Sequence, residues 1–199
     1  MSRQYKCNTE SYLSTLPTKT YISEFRDAER VGGYCKACDN YGKTWACPPF
    51  NFDVNKLLHR YSDALIIATK VRPQENNIPF SESGHLLLSV RRQIQKTLLK
   101  MENLYGGRSF AYTGTCIYCS DKTCTRPQNL ACRHPELVRP SLEACGFDIS
   151  LTTINLFNIE LRWGKNGFLP EYLMLVCGFF YNSSDKTSLS VESYINLDR

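Results

Sequence analysis

Histidine is scarce in this chain, at three in 199 residues, and no Ser/His/Asp or Cys/His arrangement is legible around His59, His85 or His134. Acid–base catalysis through histidine is therefore hard to place. No run approaches the roughly 18 apolar residues of a membrane-spanning helix. The opening residues, Met1 to Asn8, hold no apolar stretch, so no export signal is expected there. Gly32-Gly33 and Gly106-Gly107 lack the strand, glycine loop and helix order of a dinucleotide fold. Internal repeats of domain size and low-complexity linkers are also missing. Charge of either sign is only moderately in excess: 24 Lys and Arg against 19 Asp and Glu give a formal +5. That balance does not by itself make a nucleic-acid binder, so neither nucleic acid nor a membrane is expected as a partner. One local concentration, Arg91, Arg92, Lys96 and Lys100, reads first as the solvated face of a helix. Its sharper reading is a docking patch for an acidic partner or nucleic acid.

What the chain does have is cysteine in two tight groups. The larger runs Cys116-x2-Cys119-x4-Cys124-x7-Cys132, and the smaller Cys35-x2-Cys38-x8-Cys47 is followed directly by Pro48-Pro49. A pair two residues apart places both thiolates on one metal or cluster with only a tight turn between them, and further cysteines close the cage. Core packing has no use for that spacing. Ten cysteines in 199 residues fall below the roughly 8–10% of disulfide scaffolds. Without an export signal, reduced thiolates in a reducing cytoplasm are expected.

Zinc sites usually pair two close ligand sets. In the larger group the third and fourth cysteines are seven residues apart and the last lies near a proline. Progressive wrapping of this kind is closer to a 4Fe–4S cubane, so Cys116, Cys119, Cys124 and Cys132 are expected to bind an iron–sulfur cluster. Zinc is the alternative, because both use thiolate ligands. Cys35, Cys38 and Cys47 are expected to form a second centre. Its fourth ligand would be Cys7, Cys145, Cys177 or His134, or the position would stay open to a small-molecule substrate. Otherwise Cys7 reads as a tail residue, and Cys145 and Cys177 as core. Tyr41, Lys43 and Trp45 read as a water shield, His134 as an outer neighbour of the metal, and Arg133 and Arg139 as balancing thiolate charge or facing solvent.

Elsewhere the pattern predicts one α+β or α/β domain over residues 1–199, with a mixed sheet, flanking helices and metal loops at about 32–50 and 114–135. A helix is expected from about Thr20 to Arg30, with Gly32-Gly33 turning the chain into the first cysteine group. Asp53 is a candidate N-cap, and Ala64 to Val71 a strand. Leu87, Val90, Ile94, Leu98 and Met101 recur at helical spacing and predict a helix from Ser83 to Asn103. Ser109 to Tyr112 should be a short strand and Glu136 to Cys145 an interrupted helix ending at Gly146. Asp148 should cap a helix through Ile149 to Ile159. Tyr172 to Tyr181 reads as a buried strand, and Ser188 to Ile195 as a last short one.

Three features together, Cys35-x2-Cys38-x2-Tyr41-Gly-Lys-x-Trp45-x-Cys47-Pro-Pro-Phe50, the later cysteine block and Arg139-Pro-Ser-Leu-Glu-Ala-x-Gly-Phe-Asp-Ile149, resemble domain-of-unknown-function family 2284, a prokaryotic family of predicted metal-binding proteins. The resemblance implies metal binding and a microbial source, and it carries no activity. Two functional expectations follow from the residues themselves. The first is an iron–sulfur protein with a redox or electron-transfer role, using a redox partner protein or, at an open second cluster, a small-molecule substrate. The second is a non-catalytic zinc protein that binds another macromolecule through the aromatics and cations around Tyr41 to Trp45. No catalytic residue is assigned.

Overall fold

The computed structural model describes residues 5–111, 116–119 and 123–182. Four strands form one sheet in the order β1-β2-β4-β3, with β1 Cys7–Pro17, β2 Asp63–Pro73, β3 Arg108–Phe110 and β4 Leu173–Tyr181. All three pairings are antiparallel, so the fold is α+β and the sheet is not mixed. The helices are α1 Thr18–Phe25, α2 Ala28–Lys36, α3 Val54–Leu58, α4 Ser83–Tyr105 and α5 Ile149–Phe157.

Strand alternation sends side chains to two cores. Leu65 and Ile67 of β2 and Leu175, Cys177 and Phe179 of β4 pack against Ile94, Leu98 and Met101 of α4. On the opposite face Ile66, Ala68, Val176 and Phe180 meet Tyr21 and Phe25 of α1, together with Leu142, Cys145 and Phe147. Covering on both faces explains why β2 is a continuous apolar run rather than an alternating one. It also sets Cys177 apart from the α1 side of the sheet. Among the described residues, no helix is long and apolar enough to cross a membrane.

Several expectations hold. Asp53 and Asp148 accept from the Lys56 and Leu151 backbone N–H groups at 3.1 and 2.9 Å. Gly146 ends the short 3-10 turn Glu143–Cys145 with φ 93°, where an added Cβ would also lie 2.8 Å from the Ala28 Cα.

Others are corrected. The expected Thr20–Arg30 helix is two helices, because Arg26 takes an extended conformation and bridges Phe147, while Asp27 starts α2 by accepting from Arg30 N–H at 3.0 Å. Gly32 and Gly33 lie inside α2 rather than turning the chain. Glycine weakens a helix by about 1 kcal/mol relative to alanine, but here the Asp27 cap and packing on the Glu143–Cys145 turn hold it. Pro140 prevents the Glu136–Cys145 helix, leaving a turn after His134 and the 3-10 turn. Cys7 is no tail residue: it begins β1 opposite Pro73 and packs against the α4 core. Arg91 leaves the solvated face and is 6% exposed. The expected Ser109–Tyr112 strand is β3 and ends at Phe110, and Tyr112 and the Ser188–Ile195 strand lie outside the described residues.

Candidate metal centre

The smaller cysteine group starts on helix. Cys35 occupies the last turn of α2, and its Sγ lies 3.8 Å from the Glu143 carbonyl oxygen. Consecutive tight turns follow: Cys38 N–H donates to the Cys35 carbonyl at 3.1 Å, and Tyr41 N–H to the Cys38 carbonyl at 3.0 Å. Gly42, at φ 69°, then donates to the Pro48 carbonyl at 2.9 Å. That left-handed residue folds the loop back on itself, which returns Cys47 to the neighbourhood of Cys35 and Cys38. Burial raises the Cys35 thiol, and Cys47, Glu143 and Cys38 raise it further.

The larger group is held by short-range bonds around Thr125. Its hydroxyl donates to the Ala131 carbonyl at 2.9 Å, and its own carbonyl accepts from Gln128 and Leu130 N–H. Burial pushes the Cys116 thiol up, a hydrogen bond from the Tyr118 backbone N–H pulls it down, and Cys119, Cys124 and Cys132 push it up again. All four cysteines thus share one electrostatic neighbourhood. Two more sulfurs face N–H donors: Arg133 Nη1 lies 3.7 Å from Cys119 Sγ, and His134 N 3.4 Å from Cys132 Sγ. Arg133, exposed to solvent, thus also directs a guanidinium N–H at the Cys119 sulfur. Arg139 does not, because its guanidinium forms a two-pronged pair with Glu102 at 2.7 and 2.6 Å.

Arg126 joins the two groups. Its guanidinium donates to the carbonyl oxygens of Thr44, Cys47 and Pro49 and lies 5.3 Å from the centre of the Trp45 ring. The Trp45 indole N–H reaches the Thr125 hydroxyl at 3.4 Å. Burial raises the Cys47 thiol, the Thr44 hydroxyl lowers it, Cys38 raises it, Arg126 lowers it, and Cys124 of the other group raises it. The two cysteine groups are therefore neighbours. The sequence gives no signal for Arg126 or Thr125, since an arginine between polar residues ordinarily faces water. Trp45, expected as a water shield, is the platform of this joint.

All ten cysteines are free thiols. Of the three cysteines offered, with His134, as a distant fourth ligand, Cys145 shares the surroundings of Cys35, whereas Cys7 and Cys177 belong to the core under α4. Burial pushes both the Cys145 and the Cys177 thiol up to about 12, which suits the core role expected of them. His59 contacts its own helix and His85 sits 3.5 Å from Glu82, as ordinary surface histidines do. Among the described residues, no three His, Cys, Asp or Glu side chains stand close enough to hold one metal ion. The donor set is nevertheless of the soft thiolate kind that takes iron–sulfur clusters or zinc.

No curated protein and no solved structure matches the chain. A family model described as "Predicted metal-binding protein" matches residues 21–177, a span that includes both cysteine groups and the Arg126 joint. With more than half its length matched, the chain belongs to domain-of-unknown-function family 2284, the predicted metal-binding proteins.

Proposed function

We propose that this is an iron–sulfur protein with a redox or electron-transfer role. Cys116, Cys119, Cys124 and Cys132 would hold a 4Fe–4S cluster, and Cys35, Cys38 and Cys47 a second centre whose fourth position is open to a small molecule or filled from elsewhere. The observation that carries the reading is the set of N–H groups directed at sulfur: Tyr118 N–H at Cys116, Arg133 at Cys119 and His134 N–H at Cys132. Hydrogen bonds to sulfur tune the potential of a sulfur-ligated centre. An iron–sulfur cluster supplies one-electron transfer when bound. Around it, Arg133 balances thiolate charge, and Arg126 fixes Cys124 beside Cys47 so that the two sets are held as one unit. Free thiols throughout suit a reducing cytoplasm, and a redox partner protein belongs to the reading.

Protein purified without oxygen should be brown, absorb broadly near about 400 nm, and contain iron and acid-labile sulfide. A colourless preparation with stoichiometric zinc would replace this reading with a zinc-binding one on the same cysteines.

A further inference from the structure

A groove of 390 Å³ runs between α4 and the start of the larger cysteine segment, and the metal reading makes no use of it. Its rim is cationic. Arg92, Lys96 and Lys100 recur every four residues, so they stand on one helix face with neighbours about 6 Å apart. All three are exposed, and among the described residues none pairs with a carboxylate and no acidic residue lines the groove. Its apolar lining comes from Leu99 of α4 with Ile117 and Leu137. In the wall, the Gln95 amide oxygen is buried with no hydrogen-bond partner among the described residues. Buried polar atoms are normally satisfied, and an amide can turn either its oxygen or its nitrogen to a guest.

Solvated cations alone would need no concavity, and an acidic protein face would meet the rim without using the apolar lining or Gln95. A volume of 390 Å³ falls in the range of small-molecule sites, about 300–1,000 Å³. We propose that this groove binds a small amphiphilic organic anion. Its carboxylate or phosphate head lies against Arg92, Lys96 and Lys100, its apolar body covers Leu99, Ile117 and Leu137, and the Gln95 amide, turned to present its nitrogen, donates to the head. Tyr118, between Cys116 and Cys119, also lines the groove, so the bound anion sits beside the larger cysteine group. The inference concerns α4 and its neighbours and holds whichever metal the cysteines take.

The test uses the full chain as purified, with anilinonaphthalene sulfonate as a fluorescent probe and decanoate, decyl phosphate, decanol and poly-glutamate as competitors. One probe should bind per chain, and one of the two anions should displace it about ten-fold more strongly than decanol. The tighter of decanoate and decyl phosphate then identifies the head group. The double variant Arg92→Gln/Lys96→Gln should lose about ten-fold in anion affinity, equivalent to removing exposed charge contacts, with decanol unaffected. Lys19→Gln/Lys56→Gln, at exposed lysines elsewhere, should match the parent. No probe binding, equal displacement by decanol and both anions, an unaltered double variant, or displacement by poly-glutamate but by neither small anion would each overturn the proposal. The last result would mark the face as a docking surface for an acidic protein.

Discussion

Arg126 donates to the backbone carbonyl of Cys47, a residue 79 positions away, while its guanidinium lies over the ring of Trp45. One planar fork thus satisfies carbonyls of a loop that has little regular structure to satisfy them. This joint holds Cys124 within electrostatic reach of Cys47, and it ties the two cysteine segments together.

Arg126→Ala should lower stability by about 2–3 kcal/mol, because it leaves loop carbonyls without their charged donor. It should also lower the metal content of both cysteine groups together. Arg126→Lys keeps the charge but cannot span the carbonyls of Thr44, Cys47 and Pro49, so it should rescue less than half of the loss. Thermal melts and metal-to-protein ratios give both readings. Full metal content in the alanine variant would show that the joint is not needed for the centre.

Cysteine substitutions should divide by location. Serine at Cys116, Cys119, Cys124 or Cys132 should remove metal and weaken the fold, since ligation and folding are coupled at such loops. Serine at Cys7, on the edge strand β1, should leave metal content unchanged. Metal analysis of this series decides the point, and loss of metal from the Cys7 variant would make it the distant fourth ligand.

The Glu102–Arg139 pair predicts a specific pH dependence. Both side chains are about one-tenth exposed. Burial alone would raise the Glu102 carboxyl, but hydrogen bonds from Arg139 and from the Ser109 side chain and backbone outweigh it and hold the group below its usual 4.5. A depressed folded-state value means that the contribution to stability is complete above the usual value and is lost as the pH falls through the lowered one. Glu102→Gln should therefore cost about 3 kcal/mol at neutral pH by leaving Arg139 buried without its partner. The gap between parent and variant should begin to narrow as the pH falls below the usual carboxyl value and close below the lowered one, in denaturant titrations at stepped pH. A gap that stays constant with pH would mean that the charge is not what matters.

Gly107 offers a purely steric test. A Cβ there would lie 2.4 Å from the Phe179 ring and 2.5 Å from the Phe180 carbonyl oxygen, both in the central strand β4. Gly107→Ala should destabilise by about 1–3 kcal/mol through overpacking, whereas Gly33→Ala, with nothing near its Cβ, should be neutral or stabilising. Parallel melting curves of the two variants compare them directly.

Much of the scaffold was legible from local pattern. The apolar stripe of α4, the apolar runs of β2 and β4, and the caps at Asp53 and Asp148 all depend on neighbours within a few residues. β1 was missed because its sequence mixes polar and apolar residues on an edge, and only pairing with β2 makes it a strand. Arg91 was misread because burial is a tertiary property, and a charged residue off the apolar stripe of α4 gives no local sign of it.

By itself the sequence determined the two cysteine groups, since a spacing of two residues requires nothing beyond a tight turn, and the helix and strand periods that frame them. Tertiary structure alone decided that α2 continues through Gly32 and Gly33 to carry Cys35, that Arg139 answers Glu102 rather than a thiolate, and that the groups meet through Arg126 and Trp45. The reason is chain separation. The Trp45–Thr125 and Arg126–Cys47 contacts join residues 80 and 79 apart, and a pairing at that distance leaves no periodicity in the amino-acid order for local physics to read.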